Sequence, residues 1–253
     1  MTRRLAPYAF SLGLLLAVWT MGSWLAGPML VPGPGQVFPE LWRLCQDPES
    51  WRMVGLTLFR GTCGLVLALV AALVLAIPAG MFPGLLRLVG PLVAAMQSCP
   101  PVLWISLVLV WAGTGSVVPV TAVFASIFPL LFVNIAQGCL SVDRRLLAMA
   151  RCYRVPGSRR LTRIILPGLA PYLLAGLAYA LAATWKVAAV AEYLGTGDGI
   201  GAHIYWAYRM LEIPRLFAWA LILVIIGVVL EICLVARLRR LAQRFNSSIK
   251  DSP

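Results

Sequence analysis

The sequence predicts an all-α protein, a polytopic transmembrane helical bundle of about six spans. Three observations carry that reading. The 253 residues are 61% hydrophobic and 12% charged, with a mean hydropathy of +0.89, far from the composition of an ordinary soluble domain. The apolar stretches are about as long as the roughly 20 residues a helix needs to cross a bilayer, and they lack the even alternation of barrel strands. The charges, finally, gather between those stretches: from Ser141 to Pro167 seven arginines (Arg144, Arg145, Arg151, Arg154, Arg159, Arg160, Arg163) stand against one acid, Asp143.

The expected spans are 7–26, 56–82, 88–111, 117–140, 168–190 and 216–235. The first follows Arg3 and Arg4. Its apolar core is longer than that of a cleaved signal peptide and no small-x-small cleavage site follows it, so it reads as a span. Between the first and second lies a Pro- and Gly-rich segment, 26–54, with an interfacial turn expected around Trp42 and Trp51. The third span contains Pro100-Pro101, which must interrupt backbone hydrogen bonding and therefore predicts a break facing the protein interior. After the fifth, the run Gly195-Thr-Gly-Asp-Gly-Ile-Gly201 lacks the G-x-G-x-x-G spacing and reads as a flexible external turn or re-entrant entry.

Charge fixes an expected orientation. Arg3, Arg4, Arg87, the seven-arginine loop and Arg237, Arg239, Arg240, Arg244 and Lys250 fall on one side, with only Asp143 and Asp251 as acids. Cationic loops stay cytoplasmic, so both termini are expected inside. Glu40, Asp47, Glu49, Glu192, Asp198 and Glu212 fall outside, balanced by Arg43, Arg52, Arg60, Arg209 and Arg215. The net charge of +12 is thereby explained by membrane topology and anionic lipid, and no aromatic-interleaved basic groove points to nucleic acid.

Several chemistries are excluded. There is no G-x-x-x-x-G-K-[ST] to hold a nucleotide, no H-E-x-x-H, and a single histidine, His203, expected to be packed or solvated. Six scattered cysteines, without C-x-x-C or a His partner, support neither a disulfide framework nor a metal site. No repeat of 20–50 residues or inverted duplication is visible. No acid/base, nucleophile or metal constellation suggests an enzyme.

The basic loop has internal order. Leu146, Met149, Ala150 and Tyr153 share one face of a short helix, while Arg144, Arg151 and Arg154 follow another. Val155-Pro156-Gly157 breaks it, Ser158 is the expected N-cap of a second short helix, and Pro167 opens the next span.

Ala148-Met149-Ala150, Arg154, Ile164 and Leu166-Pro167 have the spacing of the E-A-A–x3–G–x9–I–x–L–P loop, and in this the chain resembles the permeases of ATP-binding-cassette importers. Ala148 stands in place of glutamate, Met149 of alanine and Arg154 of glycine. Because arginine is poor where positive φ is needed, Val155-Pro156-Gly157 is expected to carry the turn instead. Residues 97–105 with Trp111-Ala112-Gly113, Phe128-Pro129 with Asn134, Ala183-Thr184-Trp185-Lys186 and Ala191-Glu192-Tyr193-Leu194-Gly195 resemble segments of the nitrate, aliphatic sulfonate and taurine permease subfamily.

The resemblance implies a single permease domain over 1–253 in a bacterial inner membrane, with coupling helices at about 143–166. Ala148, Met149, Ala150, Arg151, Tyr153, Arg154, Pro156, Gly157 and Ser158 would contact two cytoplasmic ATP-binding subunits. It implies a homodimer of permeases, an extracytoplasmic solute-binding protein, and no cofactor on this chain, ATP and magnesium being held by the partner subunits. The solute implied is a small oxyanion or sulfonate; an uncharged heterocyclic vitamin precursor, or an ion-gradient-driven carrier, are the alternatives. Within the spans, Lys186 is a functional suspect because a membrane charge costs several kcal/mol unless it faces a wet or paired interior. Snorkelling or pairing with Glu192 is its bland explanation. Ser98, Trp104, Asn134 and Glu192 complete the candidate translocation path. Glu231 is expected to pair with Arg237 or the basic tail.

Overall fold

The computed structural model describes residues 2–27 and 29–235, with side chains over 10–233 apart from residues 12 and 28. The expected partner of Glu231, Arg237, and the remaining tail cations lie outside the described residues. Helix α1 (Thr2–Ala26) leads through a short turn into the amphipathic α2 (Pro34–Gln46), and one residue later α3 (Pro48–Met81) begins. Asp47 separates the last two: its carboxylate accepts from the backbone N–H of Glu49 and Ser50 and caps α3. Those bonds to the charged form hold the Asp47 carboxyl below its usual range.

A tight turn at Phe82 starts α4 (Pro83–Ser98), followed by α5 (Pro101–Ala112), α6 (Val117–Leu140), α7 (Arg144–Cys152) and α8 (Gly157–Arg160). Then come α9 (Leu166–Gly195), α10 (Ile200–Arg209) and α11 (Ile213–Leu230). Among the described residues four stretches are long and apolar enough to cross a membrane: α3, α6, the continuous 157–195 helix and 213–233. The bent pair α4–α5 is long and apolar enough only when its two helices are taken together, and α1 contributes the shorter apolar stretch Gly13–Ala26.

The third expected span is therefore not one helix. α4 and α5 meet at 93° across Cys99-Pro100, because neither proline can donate a backbone bond and Pro100 forces the preceding residue into extended conformation. Ser98 and Pro100 are exposed in the single chain, so the break opens on the protomer's surface and not, as expected, into its interior.

The core is α3, α6 and α9 packed side by side, and the sequence reason is a stripe of small residues. Along α3, Gly64, Ala68, Ala72, Ala76 and Gly80 are buried at four-residue spacing against α6. A methyl group placed on Gly64 would come within 2.7 Å of Val120 O, so only glycine permits this approach. On α9, Gly176, Ala180, Thr184, Ala188 and Glu192 form the matching stripe. Phe128, Leu131, Phe132 and Ile135 of α6 fill the volume between.

From Gly157 to Gly195 the chain is one continuous helix. The second short helix expected before Pro167 is its first turn, joined to α9 by a π-helical turn at Leu161–Ile165 in which Leu166 N–H reaches back to Leu161 O. The wider turn absorbs Pro167, whose missing N–H would otherwise break the ladder. Ser158 lies inside α8, and its N-cap position is Pro156.

Candidate functional site

The elbow between α6 and α9 is built by local chemistry. Asp143 caps α7, its Oδ1 accepting from Arg145 N–H at 2.7 Å. At the other end Arg154 adopts φ 53°. Tyr153 N–H reaches Met149 O, Arg154 N–H reaches Arg151 O, and Val155 N–H reaches Ala150 O at 2.9 Å, the long return bond of a Schellman closure. The expectation that Val155-Pro156-Gly157 carries the turn is thus corrected. Arg154 itself takes the left-handed conformation, because the closing bonds of α7 require it there whatever side chain is present.

α7 offers two faces. On one, Leu146, Met149, Ala150 and Tyr153 join Val155 and Ile164 around a shallow pocket of about 390 Å³. Met149 is 58% and Tyr153 78% exposed, so apolar surface stands uncovered there. Ala148, Arg151, Arg154, Pro156, Gly157 and Ser158 are exposed as well, and only Ala150 is buried. The other face, with Arg144, Leu147 and Arg151, turns toward the α3–α4 turn.

The path residues do not converge in one chain. Lys186 is exposed and lines a cavity of about 350 Å³ between α9 and α11, with Trp185, Gly227 and Glu231; Ser98, Trp104 and Asn134 are not among its walls. Ser98 lies at the α4–α5 break and donates to Ala94 O. Trp104 is half-buried with Nε1 enclosed and unpaired among the described residues. Asn134 Nδ2 donates to Leu130 O, and its side chain packs where Gly176 of α9 leaves room.

Glu192 is fully buried and engaged elsewhere. Its Oε1 accepts from Arg60 Nη1 at 3.0 Å and its Oε2 from Thr57 Oγ1 at 2.7 Å and Gly201 N at 3.3 Å. Arg60, 3% exposed, also donates to Asp198 O at 2.9 Å, to the Asp198 carboxylate and to Ser116 Oγ. Arg60 is therefore not an outer-loop charge, and Glu192 does not pair with Lys186; six residues of helix put the two on different faces. The rule that made Lys186 a suspect, a charge inside a span, applies equally to Arg60 and was the signal available for it.

That knot also fixes the glycine-rich run. Gly199 takes φ 100°, Ile200 N donates to Thr57 Oγ1 and α10 starts at once, with Ile200, Gly201 and Ala202 buried. The run is held by these bonds and is not a flexible turn. α10 then lays His203 flat on Trp219 of α11, ring centroids 4.8 Å apart. Burial and the nearby Arg215 hold the His203 imidazole below its ordinary value.

A bundle of long apolar helices around a close-packed small-residue core, with an amphipathic elbow exposed between two of them, is the architecture of a multi-pass membrane protein. Residues 64–247 match the family model described as "Binding-protein-dependent transport system inner membrane component", and the chain belongs to that family, the permeases of ATP-binding-cassette importers. The chain is 28% identical over 242 residues to the taurine transport system permease protein TauC of Escherichia coli K12, covering 91% of this chain and 86% of that one. It is 25% identical over 217 residues to the nitrate import permease protein NrtB of Leptolyngbya laminosa, covering 82% and 77%. The fold matches a chain of the inward-facing MetNI methionine ABC transporter with a TM-score of 0.62 at 18% identity, over 81% of this chain and 98% of that one.

Proposed function

We propose that this chain is the permease subunit of an ATP-driven, binding-protein-dependent importer for a small oxyanion or sulfonate. The observation that carries the reading is the elbow. α7 stands between two core helices, tied at both ends by hydrogen bonds, with its Met149 and Tyr153 face bare. An apolar face exposed on a rigid lever is suited to a partner that moves it. In this reading that partner is one of two cytoplasmic ATP-binding subunits, which hold the nucleotide and magnesium. Both termini of the permease are cytoplasmic.

A second copy supplies the other half of the pathway. The fit is physical: the α4–α5 break and the α11 face are exposed in one chain, and backbone polar groups freed at a break are tolerated at membrane depth only against protein or water. Closure of the ATP-binding subunits would displace Ala148–Arg151, Tyr153, Arg154 and Pro156–Ser158 and exchange inward for outward access, a two-state coupling with no chemical step on this chain. Lys186, Ser98, Trp104 and Asn134 would face the solute, Lys186 offering the cation. Glu192 would act behind that path, bracing its outer end through Arg60. An extracytoplasmic binding protein would deliver the solute.

The test is reconstitution of the permease with its ATP-binding subunits and binding protein in liposomes. Uptake of a sulfonate or nitrate should require ATP and should fall to background in Tyr153→Asp. Uptake by the permease alone without nucleotide, or unaltered uptake in Tyr153→Asp, would overturn the proposal; unaltered uptake in Lys186→Met would remove Lys186 from the path.

A further inference from the structure

Beneath the elbow lies a cavity of about 510 Å³ with two kinds of wall. Phe82 and Pro83 of the α3–α4 turn, with Leu140 at the end of α6, make one side apolar; Arg144, Arg151 and Arg160 enter from the other. Among the described residues no carboxylate lines it. Asp143, the single acid of the segment, is occupied in capping α7. Arg160 Nε is enclosed without a hydrogen-bond partner among the described residues, and Arg151 Nε makes only one bond, to Leu147 O at 3.3 Å. Among the described residues none of the three guanidiniums forms an ion pair.

Three cations around one space repel one another, and guanidinium donors cannot satisfy each other. Arg144 and Arg151 are exposed, but the enclosed Arg160 Nε has no acceptor among the described residues; an anion would supply one and offset the repulsion, and the planar forks match a phosphate better than a point charge would. Position selects the source. The cavity opens where α3 and α6 end and α4 begins, and the end of an apolar span is where headgroups start; its apolar wall could receive the glycerol and first acyl carbons of a lipid but has nothing to offer a bare ion.

We propose that this cavity binds the phosphate of an anionic phospholipid, with Arg144, Arg151 and Arg160 as its ligands and the α3–α4 turn as its apolar wall. The lipid would then be part of the elbow's footing. This inference needs only that the chain sits in a bilayer, and it stands or falls apart from the solute and from the ATP-binding partner.

The test uses the full-length chain in nanodiscs of phosphatidylcholine carrying increasing phosphatidylglycerol, read by hydrogen exchange of the backbone amides of 144–165. Phosphatidylglycerol should protect the segment saturably. In Arg144→Gln/Arg160→Gln half-protection should need roughly tenfold more of it, or be lost, whereas Arg159→Gln, which removes an exposed arginine outside the cavity, should behave as the parent. If the double variant does not fold, Arg160→Lys keeps the charge and loses the fork, and should still weaken the effect; equal protection in that variant would overturn the proposal. It would also be overturned by an equal loss in Arg159→Gln, by inorganic phosphate protecting equally in pure phosphatidylcholine, or by protection that appears only when an ATP-binding subunit is added. ATP-driven uptake, measured separately, reports on the importer reading alone.

Discussion

Arg60 Nη1 lies 3.0 Å from Glu192 Oε1, and neither side chain reaches solvent. The two residues are 132 positions apart in sequence, so this contact joins α3 to the outer end of α9 and, through Asp198, to the turn that starts α10. Both carboxylate oxygens of Glu192 accept hydrogen bonds, the condition under which a buried pair is tolerated.

Removing one partner leaves the other charged and buried. Arg60→Met, which strands the Glu192 carboxylate, should cost about 3–5 kcal/mol, and Glu192→Ala less, because Arg60 keeps its ion pair with Asp198. The double replacement Arg60→Met/Glu192→Leu should cost much less than the sum, because no uncompensated charge remains. A thermal-unfolding double-mutant cycle in detergent measures this; simple additivity would show that the pair does not brace the two helices.

His203 gives a pH dependence. Its imidazole is held below the ordinary 6.5 by burial first and by Arg215 second, with Asp47, Glu49 and Asp198 opposing. The folded state therefore favours the neutral ring, and the unfolded chain binds the extra proton as pH drops through about 6.5. Stability from this group is present above that value and lost as pH falls through the lower, folded-state pKa. The melting temperature should decline between pH 7.5 and 5.5, and His203→Phe, which keeps a ring against Trp219, should flatten that slope.

Arg154 holds a left-handed conformation that costs a non-glycine residue about 1–2 kcal/mol. Arg154→Gly should therefore raise stability by roughly 0.5–1 kcal/mol after glycine's greater unfolded-state entropy is subtracted. Arg154→Val should lower it, since a β-branched residue tolerates this region worst. Differential scanning of the two variants distinguishes a strained turn from an indifferent one.

The bare face of α7 makes a prediction that separates binding from folding. Met149→Asp and Tyr153→Asp alter side chains that are 58% and 78% exposed, so the melting temperature should stay close to the parent's. Co-purification of the ATP-binding subunits should nevertheless be lost, at about 2 kcal/mol or more per anchor. Retention of the subunits in both variants would place the docking surface elsewhere.

The bundle, most of its spans and the elbow were legible in the sequence because they rest on local quantities: apolar length, arginine placement, a 3.6-residue period and proline. Lys186, Met149 and Tyr153 stood out for the same reason. Local reasoning failed where two distant segments decide the outcome. Nothing near Glu192 in sequence indicates Arg60, which lies 132 positions away. Likewise the run 195–201 reads as flexible from its glycines, while Thr57 and Arg60, more than 130 residues away, tie it down.

By itself, then, the sequence determined that this chain enters a membrane as helices and carries a cationic elbow, since hydropathy and charge act residue by residue. Only the tertiary structure decided which buried charges meet and that three arginines share one cavity. Those outcomes depend on the distances between helices, which the close approach of α3, α6 and α9 sets and which no single segment contains.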